Sequence, residues 1–161
     1  MPPLIFALVG KTGHGKSMTA NSLSASDHFL ADDGFESVTR DISSLLYTVE
    51  SGQQFLCLDM PDVCDTRLAL PERDTRMSKL ALKAPYGLDA LAFIIRKVRM
   101  TEEEFTSISQ MEALFGSDVW KHAIFVFTHC AATSAKLEAD LAKLGEEHIL
   151  NKAIQKANGR A

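Results

Sequence analysis

A chain of 161 residues with 46% apolar and 24% charged side chains has the size of one ordinary domain and enough apolar content to bury a core. Its formal net charge of −4 sets up a field that repels nucleic acid and acidic membranes, so a polyanionic partner would need a local basic site. Cys57, Cys64 and Cys130 are odd in number, widely spaced and without metal-type spacing, which reads as free thiols of a reducing compartment such as the cytosol. No apolar run approaches the roughly 20 residues that cross a bilayer, and the start Met1-Pro2-Pro3-Leu4 lacks the charged region of a signal peptide.

Leu4 to Val9 is a continuous apolar run that ends at Gly10, the pattern of a strand covered on both faces. Gly10 to Gly15 reads as loop, and Lys16 to Leu23 as helix. Ile42 to Val49 and Gln54 to Leu58 are apolar segments joined at Glu50-Ser51-Gly52-Gln53, which predicts a hairpin. Asp74 to Lys83 reads as a helix stopped near Pro85 and Gly87, and Asp89 to Ile95 as the next buried strand. Thr101 with Glu104 has the form of a capping box, followed by Phe105, Ile108, Met111, Leu114 and Phe115 at helical spacing up to Gly116. His122 to Phe127 is a further apolar strand. Leu137, Leu141 and Leu144 then line a helix ending at Gly145, with Ile149, Leu150, Ala153 and Ile154 beyond it. Strands alternating with helices predict an α/β fold, a mostly parallel sheet with one antiparallel hairpin strand.

The chemistry is carried by Gly10-Lys11-Thr12-Gly13-His14-Gly15-Lys16-Ser17, which satisfies G-x-x-x-x-G-K-[ST] between a strand and a helix. Glycines let the backbone wrap closely around phosphates and aim successive N–H groups at them. Lys16 supplies a charge to the β and γ phosphates, and Ser17 offers a hydroxyl to Mg²⁺. The helix that begins beside Lys16 adds its positive end. A bare glycine-rich turn with an incidental lysine is the bland alternative. The second strand ends in Asp59, in the place of the carboxylate that holds the metal through water; any strand can end in aspartate, so this assignment leans on the loop upstream.

Together these segments resemble the immunity-associated GTPases of the AIG type, relatives of the chloroplast-translocon Toc GTPases and the septins. The resemblance rests on Leu8 through Ser17 with Asn21-Ser22-Leu23, on Ser37-Val38-Thr39, on Asp59-Met60-Pro61, on Arg99-Met100-Thr101-Glu102-Glu103-Glu104 and on Leu114-Phe115-Gly116, and it covers nearly all of the chain. It implies a Ras-like three-layer P-loop domain over residues 1–161 that binds GTP or GDP with Mg²⁺. In it, Lys16, Thr39 and Arg99 would serve hydrolysis, and Ser17, Thr39 and Asp59 the metal. The loop from Gly10 to Met18 would hold the phosphates, and Thr128 with His129 would lie near the base. Thr39 corresponds to the switch I threonine. His129 corresponds to a histidine that packs on guanine, a structural histidine being the plain alternative. Arg99, or Arg96 in its stead, corresponds to an arginine that acts across a homodimer or heterodimer formed through the nucleotide face.

Three departures shape the expectations. The family's Asp-x-Pro-Gly is Asp59-Met60-Pro61-Asp62 here, which puts a carboxylate where a glycine N–H would meet the γ phosphate, and no glutamine in 62–65 is placed to orient water. A GDP preference and slow or impaired hydrolysis follow as expectations. No Asn-Lys-x-Asp motif follows Thr128, which leaves an ATP-using P-loop kinase or ATPase open, as Asp62 leaves a non-catalytic nucleotide-binding module. Asn158-Gly159-Arg160 resembles the segment before the family's last strand, so a truncated domain without the sixth strand is expected.

Overall fold

The computed structural model describes residues 2–29, 41–62, 69–97, 102–130 and 133–161. Its elements run β1 (Leu4–Val9), α1 (Lys16–Ser24), β2 (Ser43–Thr48), β3 (Gln54–Asp59), α2 (Leu70–Lys83), β4 (Ala90–Arg96), α3 (Glu102–Phe115), α4 (Val119–His122), β5 (Ala123–Thr128), α5 (Ser134–Ala142) and α6 (Ile149–Lys156). The strands form one five-stranded sheet in the order β2-β3-β1-β4-β5. β1 pairs in parallel with β3 on one side and with β4 on the other, and β5 adds in parallel to β4. β2 alone is antiparallel, joined to β3 by the expected hairpin, in which Gly52 at φ 82° donates its N–H to the Val49 carbonyl at 2.8 Å.

Apolar side chains of β1, β3 and β4 alternate between two cores because successive residues of a strand face opposite ways. Leu8, Ala20, Cys57, Ala92 and Ile94 pack on the α1 face. Val9, Leu58, Phe93, Ile95, Ile108, Met111, Phe125 and Leu150 pack on the other face, under α2, α3 and α6. Phe93 and Phe125 meet edge to face there at 5.7 Å between centroids, an arrangement that adds roughly 0.5–1.5 kcal/mol to the area they bury. Cys57 lies in the smaller core, where burial pushes its thiol up to about 12. No helix among the described residues is long and apolar enough to cross a membrane.

Two elements differ from the sequence reading. The strand expected from His122 begins at Ala123, because His122 ends the single turn α4, closed by Lys121 N–H donating to the Asp118 carbonyl at 3.0 Å. That turn is fixed by the buried Trp120 indole, whose Nε1–H donates to the Glu112 carboxylate. One turn is too short to show a helical period. α2 begins at Leu70 rather than Asp74 because Pro71 occupies its first turn, where the missing N–H costs nothing. At the outer edge of the sheet, Phe125 N–H donates to the Arg160 carbonyl at 2.9 Å, and the Arg160 guanidinium binds the Ala123, Trp120 and Lys121 carbonyls.

The backbone after β1 passes directly over β4. A Cβ built at Gly10, whose φ is +139°, would lie 2.4 Å from the Ile94 carbonyl oxygen, so a side chain here collides with main chain that cannot move without breaking the sheet. Gly10→Ala is therefore expected to cost about 3 kcal/mol in urea unfolding, from backbone strain together with the clash. An unchanged unfolding midpoint would show that the loop does not run so close to β4.

Candidate functional site

β1 is where the connections diverge: the chain leaves it toward α1 on one face, while β3 and β4, its two neighbours, are linked through α2 on the other. Ligands of open α/β sheets bind at such a switch point, outside the carboxyl ends of the strands. The register makes this concrete. Leu8 lies beside Asp59, so the loop after β1 and the last residue of β3 leave the sheet side by side.

Gly10, Gly13 and Gly15 all take positive φ, and Gly15 caps α1 from the left-handed region, so the loop folds back on itself and then enters the helix. Thr12 and Gly13 are exposed on it and Lys11 is half-buried. No side chain caps the start of α1, and its first turn carries no acidic residue. First-turn amides have no partner inside a helix, so those of Ser17 and Met18 face the helix start, the end at which an anion is favoured.

Lys16 is 6% exposed, and its ammonium folds back to the Gly10 carbonyl at 2.8 Å and the Lys11 carbonyl at 3.3 Å. Ser17 donates its hydroxyl to Asp59 Oδ2 at 2.6 Å. Asp59 itself is 1% exposed, and its other oxygen, Oδ1, is buried with no hydrogen-bond partner among the described residues. Burial pushes the Asp59 pKa up, against the hydrogen bond from Ser17 and the charge of Lys16, which lower it. A buried carboxylate oxygen with an open coordination position, next to a serine hydroxyl and a lysine, is the donor set a hard divalent cation takes up together with phosphate oxygens. The residues present therefore fit Mg²⁺.

Thr128 and His129 reach the same place from the end of β5. Thr128 Oγ1 donates to the His14 carbonyl at 2.6 Å, which clamps the loop from above. His129 is exposed, with φ 53°, and its Cε1 would be 3.6 Å from a Cβ at Gly15. Its Nδ1 is 3.1 Å from Thr128 Oγ1, so the ring is oriented beside the helix start. His14 takes a different place from that of a ligand contact. Its side chain is 8% exposed and turns away from the cradle, between β4 and α3, with Nε2 3.4 Å from Glu104 Oε1. Its backbone stays in the loop. Thr39 and Arg99 lie outside the described residues, as does Thr101 of the expected capping box; Arg96, the alternative arginine, ends β4 with its side chain exposed. The clamp by Thr128 and the contact of Glu104 with His14 were not foreseen, since nothing local in sequence marks either.

The sequence model of the AIG1 family matches residues 4–161. The chain belongs to the AIG1 family. Among relatives of this AIG1 chain, immune-associated nucleotide-binding protein 9 of Arabidopsis thaliana is 32% identical over 127 residues, covering 79% of this chain and 37% of that protein. The chain thus spans little more than a third of that relative's length. Toc33 from Arabidopsis thaliana, solved in complex with GDP and Mg²⁺, matches with a TM-score of 0.71 at 17% identity, over 98% of this chain and 64% of that one. A structure reported with the finding that dimerization is important for the GTPase activity of the chloroplast translocon components atToc33 and psToc159 matches with a TM-score of 0.71 at 19% identity, over 99% of this chain and 64% of that one. At these identities the solved structures show the fold, which for this AIG1 chain is the mostly parallel P-loop G-domain sheet with its one antiparallel strand.

Proposed function

We propose that residues 1–161 form a single G domain that binds GDP or GTP with Mg²⁺, and that hydrolyses GTP slowly or not at all. The observation that carries this reading is the Ser17–Asp59 pair beside the glycine loop, with its buried Oδ1 unpartnered among the described residues. The ammonium of Lys16 and the first-turn amides of α1 would hold the β and γ phosphates, and Thr128 with His129 would border the base. Bound Mg²⁺ neutralises phosphate charge, and Ser17 and Asp59 are the residues of this chain that would hold it. The guanine preference is supported by family membership and by Toc33, solved with GDP. Thr39 and Arg99 are assigned by the same kinship to the switch and to a dimer interface at the nucleotide face, homotypic or heterotypic; the three dispersed cysteines support a cytoplasmic location.

The direct test is to denature the purified protein and identify the released nucleotide, then to displace labelled GDP with GTP and with ATP. GDP or GTP in the supernatant, displaced by GTP and not by ATP, is the expected result. Equal displacement by ATP would move the domain to the adenine-using P-loop enzymes, and the absence of any bound or binding nucleotide would remove the reading.

Asp59 gives a second check. Asp59→Asn keeps an acceptor for Ser17 and removes a charge that burial opposes, so the nucleotide-free protein is expected to gain about 1 kcal/mol of stability. The Mg²⁺ dependence of nucleotide affinity should disappear at the same time. Thermal melts and titrations with and without the cation read the two effects separately, and a variant that keeps its Mg²⁺ dependence would take Asp59 out of the metal site.

A further inference from the structure

A glycine-rich loop has a problem that its own sequence creates. Gly13 and Gly15 supply the positive φ values the cradle requires, yet the same freedom lets a loop without ligand populate many other shapes, and binding must then reverse that entropy. Between these two glycines stands one side chain, His14.

His14 is held from three directions. Its N–H donates to the Lys11 carbonyl at 3.2 Å within the loop, and its carbonyl accepts from Thr128 Oγ1 at 2.6 Å. Its ring enters the space between β4 and α3, where Nδ1 is 3.5 Å from the Arg96 N–H and 3.4 Å from the Ile94 carbonyl. Nε2 faces Glu104 Oε1 at 3.4 Å. Glu104 is 5% exposed and comes from the first turn of α3. The void that borders both side chains, lined in part by Lys11, Phe93 and Ser107, measures about 10 Å³, the lower limit for one water. Water therefore does little to replace either partner.

Burial lowers the His14 pKa from its ordinary value, with Lys16 and Lys11 adding to the lowering while Glu104 and the Ile94 carbonyl oppose it. The ring accepts at Nδ1 from the Arg96 N–H, while Nε2 meets the Glu104 carboxylate through charge and proximity at 3.4 Å. A plain apolar side chain would fill the same space without desolvating a carboxylate, so the pair is a costly way to gain stability. What it adds is direction: a ring with Nδ1 bonded to β4 and Nε2 against the Glu104 carboxylate fixes residue 14, and with it the backbone of the loop on either side.

We propose that His14 and Glu104 form a buried positioning pair that holds the phosphate loop in its binding shape, so that α3 sets part of the affinity for a nucleoside diphosphate. The inference rests on the reading of this loop as a nucleotide site. Neither residue touches the ligand; both act through the loop backbone.

The test is calorimetric titration of GDP in magnesium buffer, at a temperature well below unfolding, into the whole chain and four variants: His14→Ala, Glu104→Ala, the two combined, and His14→Gln. Each alanine variant is expected to weaken GDP about tenfold, because only a fraction of loops then stand in the competent shape. The combined variant should be no weaker than the poorer single one, since either change breaks the same link. His14→Gln, which keeps a terminal donor at similar reach, should recover most of the affinity. A pair that served only stability would lower the melting temperature and leave the affinity of the folded protein unchanged. That result overturns the proposal, as do losses that multiply to about a hundredfold in the combined variant. Should an alanine variant fail to fold, Glu104→Leu with His14→Leu gives the same cycle at smaller cost to packing. A wild-type chain that binds no nucleotide removes the underlying reading as well, whereas wild-type binding with unaffected variants removes the positioning role alone.

Discussion

Lys16→Ala is expected to weaken GDP and GTP binding by several hundredfold while leaving the domain folded. A unit charge about 4 Å from a phosphate oxygen is worth roughly 4 kcal/mol at an effective dielectric of 20, and the factor follows from that energy. The side chain is placed to deliver it. Its ammonium is withdrawn from water at 6% exposure and bound to the Gly10 and Lys11 carbonyls, so an arriving phosphate meets a cation that has already lost most of its hydration. Removing a buried charge held by carbonyl oxygens costs the fold little, because the desolvation it imposed is removed with it. Thermal unfolding of the nucleotide-free variant should stay near that of wild type, and titration of both nucleotides should show the loss. Unchanged affinity in a folded variant would mean that the loop from Gly10 to Ser17 is a structural turn.

Asp62→Gly is expected to raise the affinity for GTP relative to GDP, by up to several hundredfold. Asp62 follows the buried Pro61 at the end of β3, three positions beyond Asp59, where the AIG-type pattern carries a glycine. A carboxylate about 4 Å from the γ phosphate would repel it by roughly 4 kcal/mol at an effective dielectric of 20. Arg76 damps part of this field: its Nη1 donates to the Asp62 carbonyl at 2.6 Å, which makes several hundredfold the upper bound. GDP lacks the γ phosphate and should be nearly indifferent to the change. Competition titrations of the two nucleotides into wild type and variant measure the ratio directly. A ratio that does not move would turn the Asp62 carboxylate away from the phosphate and remove the stated reason for a GDP preference.

Both expectations rest on residues that are legible in the sequence alone. The strand from Leu4, the glycine loop and the helix from Lys16 are set by adjacent residues, and a motif of local spacing survives whatever the rest of the chain does. The same holds for the hairpin between β2 and β3, where Gly52 marks the turn, and for α3, whose apolar residues repeat at helical spacing. The single turn α4 escaped because four residues carry no period, and the early start of α2 escaped because Pro71 looks like a breaker when its helix is not yet visible.

Sequence by itself determined the glycine-rich loop with its lysine and serine, and the alternation of strands and helices, since each depends on neighbours a few residues away. Tertiary structure decided which distant groups meet that loop. Ser17 and Asp59 are 42 positions apart and are joined only because β3 pairs with β1 in the register that sets Asp59 beside Leu8. Thr128 reaches the loop across 114 positions because β5 is laid next to β4, and Glu104 reaches His14 because α3 packs over the face of the sheet that the loop crosses. Contacts of this kind come from strand register and layer packing, which minimise the free energy of the whole chain and leave no mark on a short stretch of it.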